Sequence, residues 1–344
     1  MKLNDFKKEL IALEVIRTLK SRFDNFPEDA SDNRNAPFHE AFLNAFKFRI
    51  EKHVTDIPIF VSLASWMHGL NTSLGQSFFE NVAHILSDGI KQKFVDQLIT
   101  AEQQSVISDI ISGLKNHTRE PNLIKENEEI FLKYGKPTVY ATNFTADVYY
   151  EEDNTLTLIE LKTVKPNSDI FKEQKNKFLN AKAALFKKYP QKELKFYLGF
   201  PFDPLNNNSI GYDKDRFFNY SIDFKKYFDK QEVLLADELW DFLSQEKETM
   251  PRILEIINSI AKPDFMEKFN FINDPKNFEI NSEKFEAILS QWYLYRDLKI
   301  FNNYSKLKKV AETEKRLQRI LKQNLFDSKT NYKETRAFSL LNVL

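Results

Sequence analysis

Alternating apolar and polar positions predict two adjacent strands near the middle of the chain. The first run is Thr138–Tyr150, the second is Thr155–Lys162, and the four polar residues 151–154 separate them. Two β-branched runs joined by turn-forming residues are typical of a hairpin. In such a strand, side chains two positions apart share a face, so Leu156, Leu158 and Glu160 are expected to point the same way.

The segments around this hairpin predict an α/β core. Pro166 ends the second run, and a helix is expected from there to about Tyr189. A later apolar run, Leu194–Phe200, predicts another strand, and long helices are expected around Glu80 and Leu98. The order helix, hairpin, helix, strand predicts a central mixed sheet flanked by helices.

We divide the chain into three zones. Residues 1–56 form a predicted N-terminal helical region, residues 57–240 the core, and residues 241–344 a C-terminal helical region. The last zone consists of helices interrupted near Pro251, Pro263 and Pro275. A chain of 344 residues is long enough to bury a substantial core.

Composition excludes several classes of protein. Lysine plus arginine and aspartate plus glutamate both number 50, and cysteine is absent, which excludes disulfides and thiolate metal sites. The N-terminus lacks the uninterrupted apolar core of a signal peptide, and no apolar run approaches ~20 residues. We therefore expect a cytoplasmic protein without a membrane partner.

The hairpin carries the residues of a metal-dependent phosphodiesterase. Asp147 lies thirteen positions before Glu160, and Lys162 follows two positions later. Two neighbouring carboxylates repel each other unless a cation lies between them, and oxygen ligands favour Mg²⁺. The expected ligands are Asp147, Glu160 and the carbonyl of Leu161, with Lys162 orienting water or neutralising charge. An exposed hairpin with ordinary surface charges fits the bare pattern equally well.

Basic residues crowd the segment after the hairpin. Between Ile159 and Lys195 there are ten lysines and four carboxylates. Clustered lysines attract a phosphate backbone, although a solvated helix face explains most of them. The candidate DNA-contacting residues are Lys165, Asn167, Lys172, Gln174, Lys175 and Gln76.

Three segments carry a resemblance to a known family: Arg34–His39, Leu70–Leu86 and Asp147–Lys177. With them, the chain resembles the TdeIII-like type II restriction endonucleases of the PD-(D/E)XK superfamily, although Ala146 replaces the usual proline. The resemblance implies a restriction-endonuclease-like core with helical extensions. It also implies a Mg²⁺-dependent homodimer that cuts duplex DNA at a short palindrome, such as GGNCC. A cognate DNA methyltransferase would act on the same site without needing to bind this chain.

Glu80 gains a role from the same resemblance. Related nucleases often place a glutamate on the first core helix near the metal, so Glu80 is a third acidic candidate for the catalytic site. A surface carboxylate paired with a lysine is the alternative. His84, four residues later, is expected to pack or to hydrogen-bond.

Two other functions and the choice of base contacts stay open. A repair or junction-resolving nuclease would share the site, and a non-catalytic DNA-binding protein would keep only a vestige of it. No Gly-x4-Gly-Lys loop is present, which argues against ATP-driven translocation. The candidates for reading bases, which the sequence does not rank, are Arg34, Asn35, Asn206, Asn207, Asn208 and Arg216.

Overall fold

The computed structural model describes residues 3–27, 41, 43–54, 57–133, 135–163, 168–220 and 222–344. It divides into two compact units. The first, which we call the sheet unit, contains residues 79–252 with Leu3, and the second, the helical unit, contains residues 4–78 and 253–344. The three zones drawn from the sequence remain a prediction, and segments from both ends of the chain fold together in the helical unit.

The helical unit begins with three helices and a π-helical turn. Its first helix is N-capped by Asn4, whose side chain accepts the Lys7 amide, and the second follows a 3₁₀ turn at Asn44–Phe46. The elements are α1 Asp5–Phe23, α2 Lys47–Ile50, α3 Ile57–Ser73 and a π-helical turn, Leu74–Phe78.

The sheet unit alternates helices and strands. Its first half contains α4 Phe79–Ser87, β1 Ile90–Phe94, β2 Leu98–Ile99, α5 Ala101–Lys115, α6 Leu123–Phe131 and β3 Val139–Tyr140. The hairpin strands and the next crossover follow as β4 Phe144–Glu151, β5 Thr155–Leu161, α7 Ser168–Lys188 and β6 Glu193–Phe200. The last elements are α8 Lys214–Asn219, α9 Ile222–Tyr227, a 3₁₀ turn Lys230–Glu232, β7 Val233–Leu235 and α10 Asp237–Ser244.

The predicted helix around Leu98 is wrong in its position. Leu98 and Ile99 form β2, which pairs with β3, and the helix starts only at Ala101. Thr100 sets this start, because its hydroxyl accepts the Gln103 amide while the Gln103 side chain accepts the Thr100 amide.

The central sheet is mixed. Its strand order is β1-β4-β5-β6-β7, with antiparallel pairs from β1 to β5 and parallel pairs from β5 to β7. In β4 buried positions alternate with half-buried ones, whereas β5 is almost wholly buried because it lies between two other strands. The predicted α/β fold with a mixed sheet flanked by helices is confirmed.

Helices cover both faces of this sheet. On one face, Phe178 of α7 packs on Phe196 of β6 with ring centroids 5.6 Å apart. Gly199, three residues along β6, points to the other face, where an added Cβ would come within 3.0 Å of Leu239 on α10. The glycine therefore allows α10 to approach the sheet closely.

The C-terminal helices complete the helical unit. They are α11 Thr249–Ile260, which begins in the sheet unit, α12 Phe265–Asn273, α13 Asn277–Ile280, α14 Ser282–Gln291, α15 Tyr295–Asn302, α16 Tyr304–Thr313, α17 Lys315–Leu321 and α18 Glu334–Leu341. Buried Glu9 of α1 accepts a hydrogen bond from Arg296 Nε at 2.8 Å, which ties the two ends of the chain together. Among the described helices, none is long and apolar enough to cross a membrane.

Candidate active site

The hairpin register places the two predicted carboxylates side by side. Val148 pairs with Ile159, so the next step along the antiparallel register brings Asp147 opposite Glu160. Asp147 Oδ2 also accepts the backbone N–H of Leu161 at 3.0 Å. Since the N–H and C=O of one strand residue point to the same side, the Leu161 carbonyl also faces β4.

A β-bulge lies at Asp147. Two steps along β1, from Ile90 to Gln92, correspond to three steps along β4, from Tyr149 to Ala146. Asp147 and Val148 therefore together oppose Lys91. A bulge bends its strand and changes the direction of a side chain, and bulges are frequent beside active sites.

Lys91 joins two of the acidic candidates. Its Nζ lies 2.7 Å from Glu80 Oε2 and 3.2 Å from Asp147 Oδ1. Burial alone would lower the pKa of Lys91, but the hydrogen bonds and charges of Glu80 and Asp147 raise it instead. Lys91 thus places Glu80 near Asp147, as the family resemblance implies. Glu80 is also paired with a lysine, as the alternative expects, and its catalytic role remains a prediction.

Sequence reasoning missed Lys91, which lies 56 positions before Asp147. The run Ile-Lys-Gln-Lys-Phe from residue 90 is short and alternating, which indicates a strand. It does not indicate that this strand pairs with β4, and that pairing is what brings Lys91 to the carboxylates.

Glu160 and Lys162 form the second half of the site. Lys162 Nζ lies 2.5 Å from Glu160 Oε1, and their side chains are 23% and 18% exposed. Burial raises the pKa of Glu160, the neighbouring charge of Asp147 raises it further, and Lys162 offsets part of this rise. The surroundings of Glu160 therefore disfavour its charged form, and a cation bound nearby would favour it.

His84 supports the bulge. Its Nε2 lies 2.6 Å from the carbonyl oxygen of Asp147. A carbonyl can only accept, so Nε2 carries the proton and donates. The expected hydrogen-bonding role of His84 is confirmed, and it connects the helix of Glu80 to the backbone of Asp147.

The oxygen ligands present suit a hard divalent cation. Within the described part of the chain, no group of three or more His, Cys, Asp or Glu side chains is arranged to hold a metal by itself. Two carboxylates with one carbonyl, completed by water and phosphate oxygens, are the usual protein ligands of Mg²⁺. The ammonium of Lys91 between Glu80 and Asp147 shows that this position accommodates positive charge.

The predicted DNA-contacting residues lie in different environments. Lys165 and Asn167 lie outside the described residues. Lys172 is half-buried on α7, whereas Gln174 is only 7% exposed and lines a small cavity beside Glu160. Gln76 is exposed in the π-helical turn of the helical unit.

The prediction that Lys175 contacts DNA is wrong. Its side chain is 0% exposed, and its Nζ lies 2.6 Å from both Glu126 Oε2 and Glu232 Oε2. Lys182, two turns further along α7, lies 3.0 Å from Glu232 Oε1. We call Glu126, Lys175, Lys182 and Glu232 the buried quartet.

The helical period contains the signal that would have placed these lysines. Phe171, Lys175, Phe178, Lys182 and Leu185 recur at spacings of four and three, so they share one face of α7. The phenylalanines and the leucine of that face are buried, and the lysines are buried with them.

Comparison with known proteins shows the family to which the chain belongs. The family model described as type II restriction endonuclease, HinfI, matches residues 3–261. This chain belongs to the HinfI family of type II restriction endonucleases. The type II restriction enzyme MjaII of Methanocaldococcus jannaschii is 43% identical over 355 aligned positions, which cover 97% of this chain and 96% of that protein.

The family match establishes the class of enzyme. The endonuclease is a site-specific deoxyribonuclease, and the predicted type II restriction class is confirmed. The narrower TdeIII-like assignment remains a prediction, because the matching model is that of HinfI. Enzymes of this class generally use divalent metal ions.

Proposed function

We propose that this endonuclease hydrolyses duplex DNA with Mg²⁺ held by Asp147, Glu160 and the carbonyl of Leu161, leaving 5′-phosphate ends. The observation that carries the proposal is the hairpin register, which sets Asp147 opposite Glu160 and joins Asp147 Oδ2 to the Leu161 amide at 3.0 Å. When bound, the metal would supply an activated water and would neutralise charge on the phosphate.

The side chains have separate roles. Lys162, held at 2.5 Å from Glu160, presents an ammonium that stabilises the negative charge developing on the attacked phosphate. Water forms the new bond to phosphorus, the bond to the 3′ oxygen breaks, and that oxygen leaves with a proton as a 3′-hydroxyl. Glu80 positions Lys91, and His84 holds the bulge that directs Asp147.

The substrate follows from the family and from the resemblance. We infer a short palindromic site, GC-containing as in GGNCC, read by a homodimer in which each subunit cuts one strand. A cognate DNA methyltransferase would protect the same site in the cytoplasm.

Sedimentation of the enzyme with a short duplex that carries its site tests the proposed homodimer. A single enzyme chain bound per duplex would contradict the homodimer.

Digestion of unmethylated phage DNA tests the reaction. Purified enzyme is incubated with Mg²⁺ or with EDTA, and the fragment ends are sequenced and assayed for 5′-phosphate. We expect discrete fragments that share one end sequence and appear only with the metal. Asp147→Ala and Lys162→Ala should remove cutting while the fold is kept, and Lys93→Ala, an exposed lysine on β1, serves as control. A fully active Lys162→Ala would contradict the proposed mechanism.

A further inference from the structure

The segment between β6 and α8 leaves the sheet at the carboxyl ends of the parallel strands, beside the candidate active site. Strands β5, β6 and β7 are parallel, so their carboxyl ends share one edge, where ligands of α/β sheets bind. Lys162, just past the end of β5, donates its backbone N–H to the carbonyl of Gly199 at 2.9 Å. The chain that follows β6 therefore starts beside Lys162. We call Pro204–Tyr212 the 204–212 loop.

A buried carboxylate fixes the base of this loop. Asp203 is 7% exposed and accepts the backbone amides of Leu205 at 2.9 Å and Asp213 at 3.2 Å. It also accepts a hydrogen bond from Arg216 at 2.8 Å. Both ends of the loop are thus joined to one side chain, whose charge is paired.

Further hydrogen bonds fix the backbone near the tip. Asn206 Nδ2 donates to the carbonyls of Ile210 at 2.8 Å and Gly211 at 2.9 Å. Gly211 has a φ of +87°, which glycine adopts without strain, and its amide donates to Asp237 Oδ2 at 2.5 Å. The loop is consequently held in one conformation before any ligand binds.

The tip itself presents unused hydrogen-bonding groups. Asn207, Asn208 and Ser209 are exposed, and their side chains form no hydrogen bond with other described residues. No charged residue lies between Asp203 and Asp213. A carboxamide offers two donors and one acceptor, so it can pair with the N6 and N7 groups of adenine and can donate to the N7 or O6 acceptor of guanine.

We propose that the 204–212 loop reads base edges of duplex DNA through the amides of Asn207 and Asn208.

The loop is also connected to the catalytic side chains, because Phe202 at its base contacts Phe79 with ring centroids 6.3 Å apart, and Phe79 precedes Glu80. The base of the loop thus packs against the helix that carries Glu80.

This assignment ranks four of the six base-reading candidates, because Arg34 and Asn35 lie outside the described residues. Asn206 and Arg216 are positioning residues, because their side chains are engaged within the loop. Asn207 and Asn208 carry the base contacts. The proposal rests on site-specific DNA binding by the enzyme and does not depend on which metal it uses.

The double variant Asn207→Ala/Asn208→Ala tests this role. Duplexes bound by the wild type and by the variant are selected from a random pool, with and without divalent cation, and are sequenced. We expect the wild type to enrich one site and the variant to lose enrichment at particular base pairs. Affinity for that site should fall about 5- to 150-fold for each lost bidentate contact, while binding to unrelated duplex is unchanged.

Asn154→Ala is the matched control, since Asn154 is also exposed but lies before the amino end of β5, at the opposite edge. Its selected site and affinity should equal those of the wild type. An unchanged site in the double variant, with unchanged affinity, would overturn the assignment. Because selection requires no cleavage, this failure is distinguishable from an absence of Mg²⁺-dependent cutting, which would contradict the proposed function instead.

Discussion

Two groups of carboxylates and lysines in the sheet unit use the same residue types for opposite purposes. The candidate active site has three carboxylates, Glu80, Asp147 and Glu160, against Lys91 and Lys162, and its side chains are 16–45% exposed. The buried quartet has two carboxylates and two lysines, all at most 1% exposed. An excess of carboxylates with access to solvent suits a cation, through which a phosphate can be held, whereas balanced and enclosed charges bind only each other.

The pKa values reflect this difference. Burial would raise the pKa of Glu232, but the charges of Lys175 and Lys182 outweigh burial and lower it to about 2. At Glu160, burial and the charge of Asp147 together prevail over Lys162, so its pKa is raised. In the quartet, the lysines thus favour the charged form of Glu232, whereas burial lowers the pKa of Lys182 in spite of the two carboxylates. At the candidate active site, burial and Asp147 disfavour the charged form of Glu160, which a bound cation would favour.

The largest expected effect comes from removing charge at the active site. Asp147→Asn and Glu160→Gln should each lower the single-turnover cleavage rate about 10²–10³-fold or more, because the transition-state charge loses its stabilisation. Thermal unfolding should be unchanged or slightly improved, since each change relieves repulsion between neighbouring carboxylates. Normal cleavage by one of these variants would show that the substituted carboxylate is not part of the catalytic site.

The second effect concerns the quartet, where removing charge should damage stability. Lys175→Met leaves Glu126 and Glu232 buried with too little positive charge, which costs about 3–5 kcal/mol in the free energy of unfolding. Urea denaturation measures the loss. Lys172→Met on the same helix, at a half-buried position, should change stability by about 0.5 kcal/mol or less. Equal stability of the two variants would show that the quartet does not hold the fold together.

Acid should weaken the quartet. The pKa of Glu232 is about 2 in the folded protein against 4.5 for an ordinary glutamate. Its contribution to stability is therefore complete above pH 4.5 and is lost as pH falls from there towards 2. Between pH 5 and pH 3, the urea midpoint should fall further for the wild type than for Glu232→Gln, because glutamine has no carboxylate to protonate. Parallel slopes would contradict the depressed pKa.

The smallest effect is expected at Lys91. Lys91→Met should lower the free energy of unfolding of the metal-free enzyme by about 1 kcal/mol or less, because this lysine is 45% exposed. Mg²⁺ should then stabilise the variant more than the wild type, as a cation replaces the lost ammonium. Lys93→Met, on the same strand, controls for loss of a surface charge, and melting curves with and without Mg²⁺ give the comparison. Equal metal-induced shifts would exclude this role for Lys91.

Local pattern was sufficient for the hairpin and the neighbouring carboxylates. Strand period and the turn at residues 151–154 predict that Asp147 and Glu160 meet, and the register agrees. Counting lysines, in contrast, misplaced Lys175, because the count ignored the helical face that Lys175 shares with Phe171 and Phe178. Charge content alone therefore does not identify a DNA-binding surface.

The sequence by itself determined the α/β order, the hairpin, and the positions of Asp147 opposite Glu160 and of Lys162 beside Glu160, since strand period and turn residues act over a few positions. Only the tertiary structure decided that Lys91 lies between Glu80 and Asp147, that Glu126 and Glu232 enclose Lys175, and that the 204–212 loop leaves the sheet beside Lys162. These contacts depend on the order in which strands pair and on which face each helix buries. Packing across the whole sheet fixes both the strand order and the buried helix faces, and no short stretch of sequence specifies either.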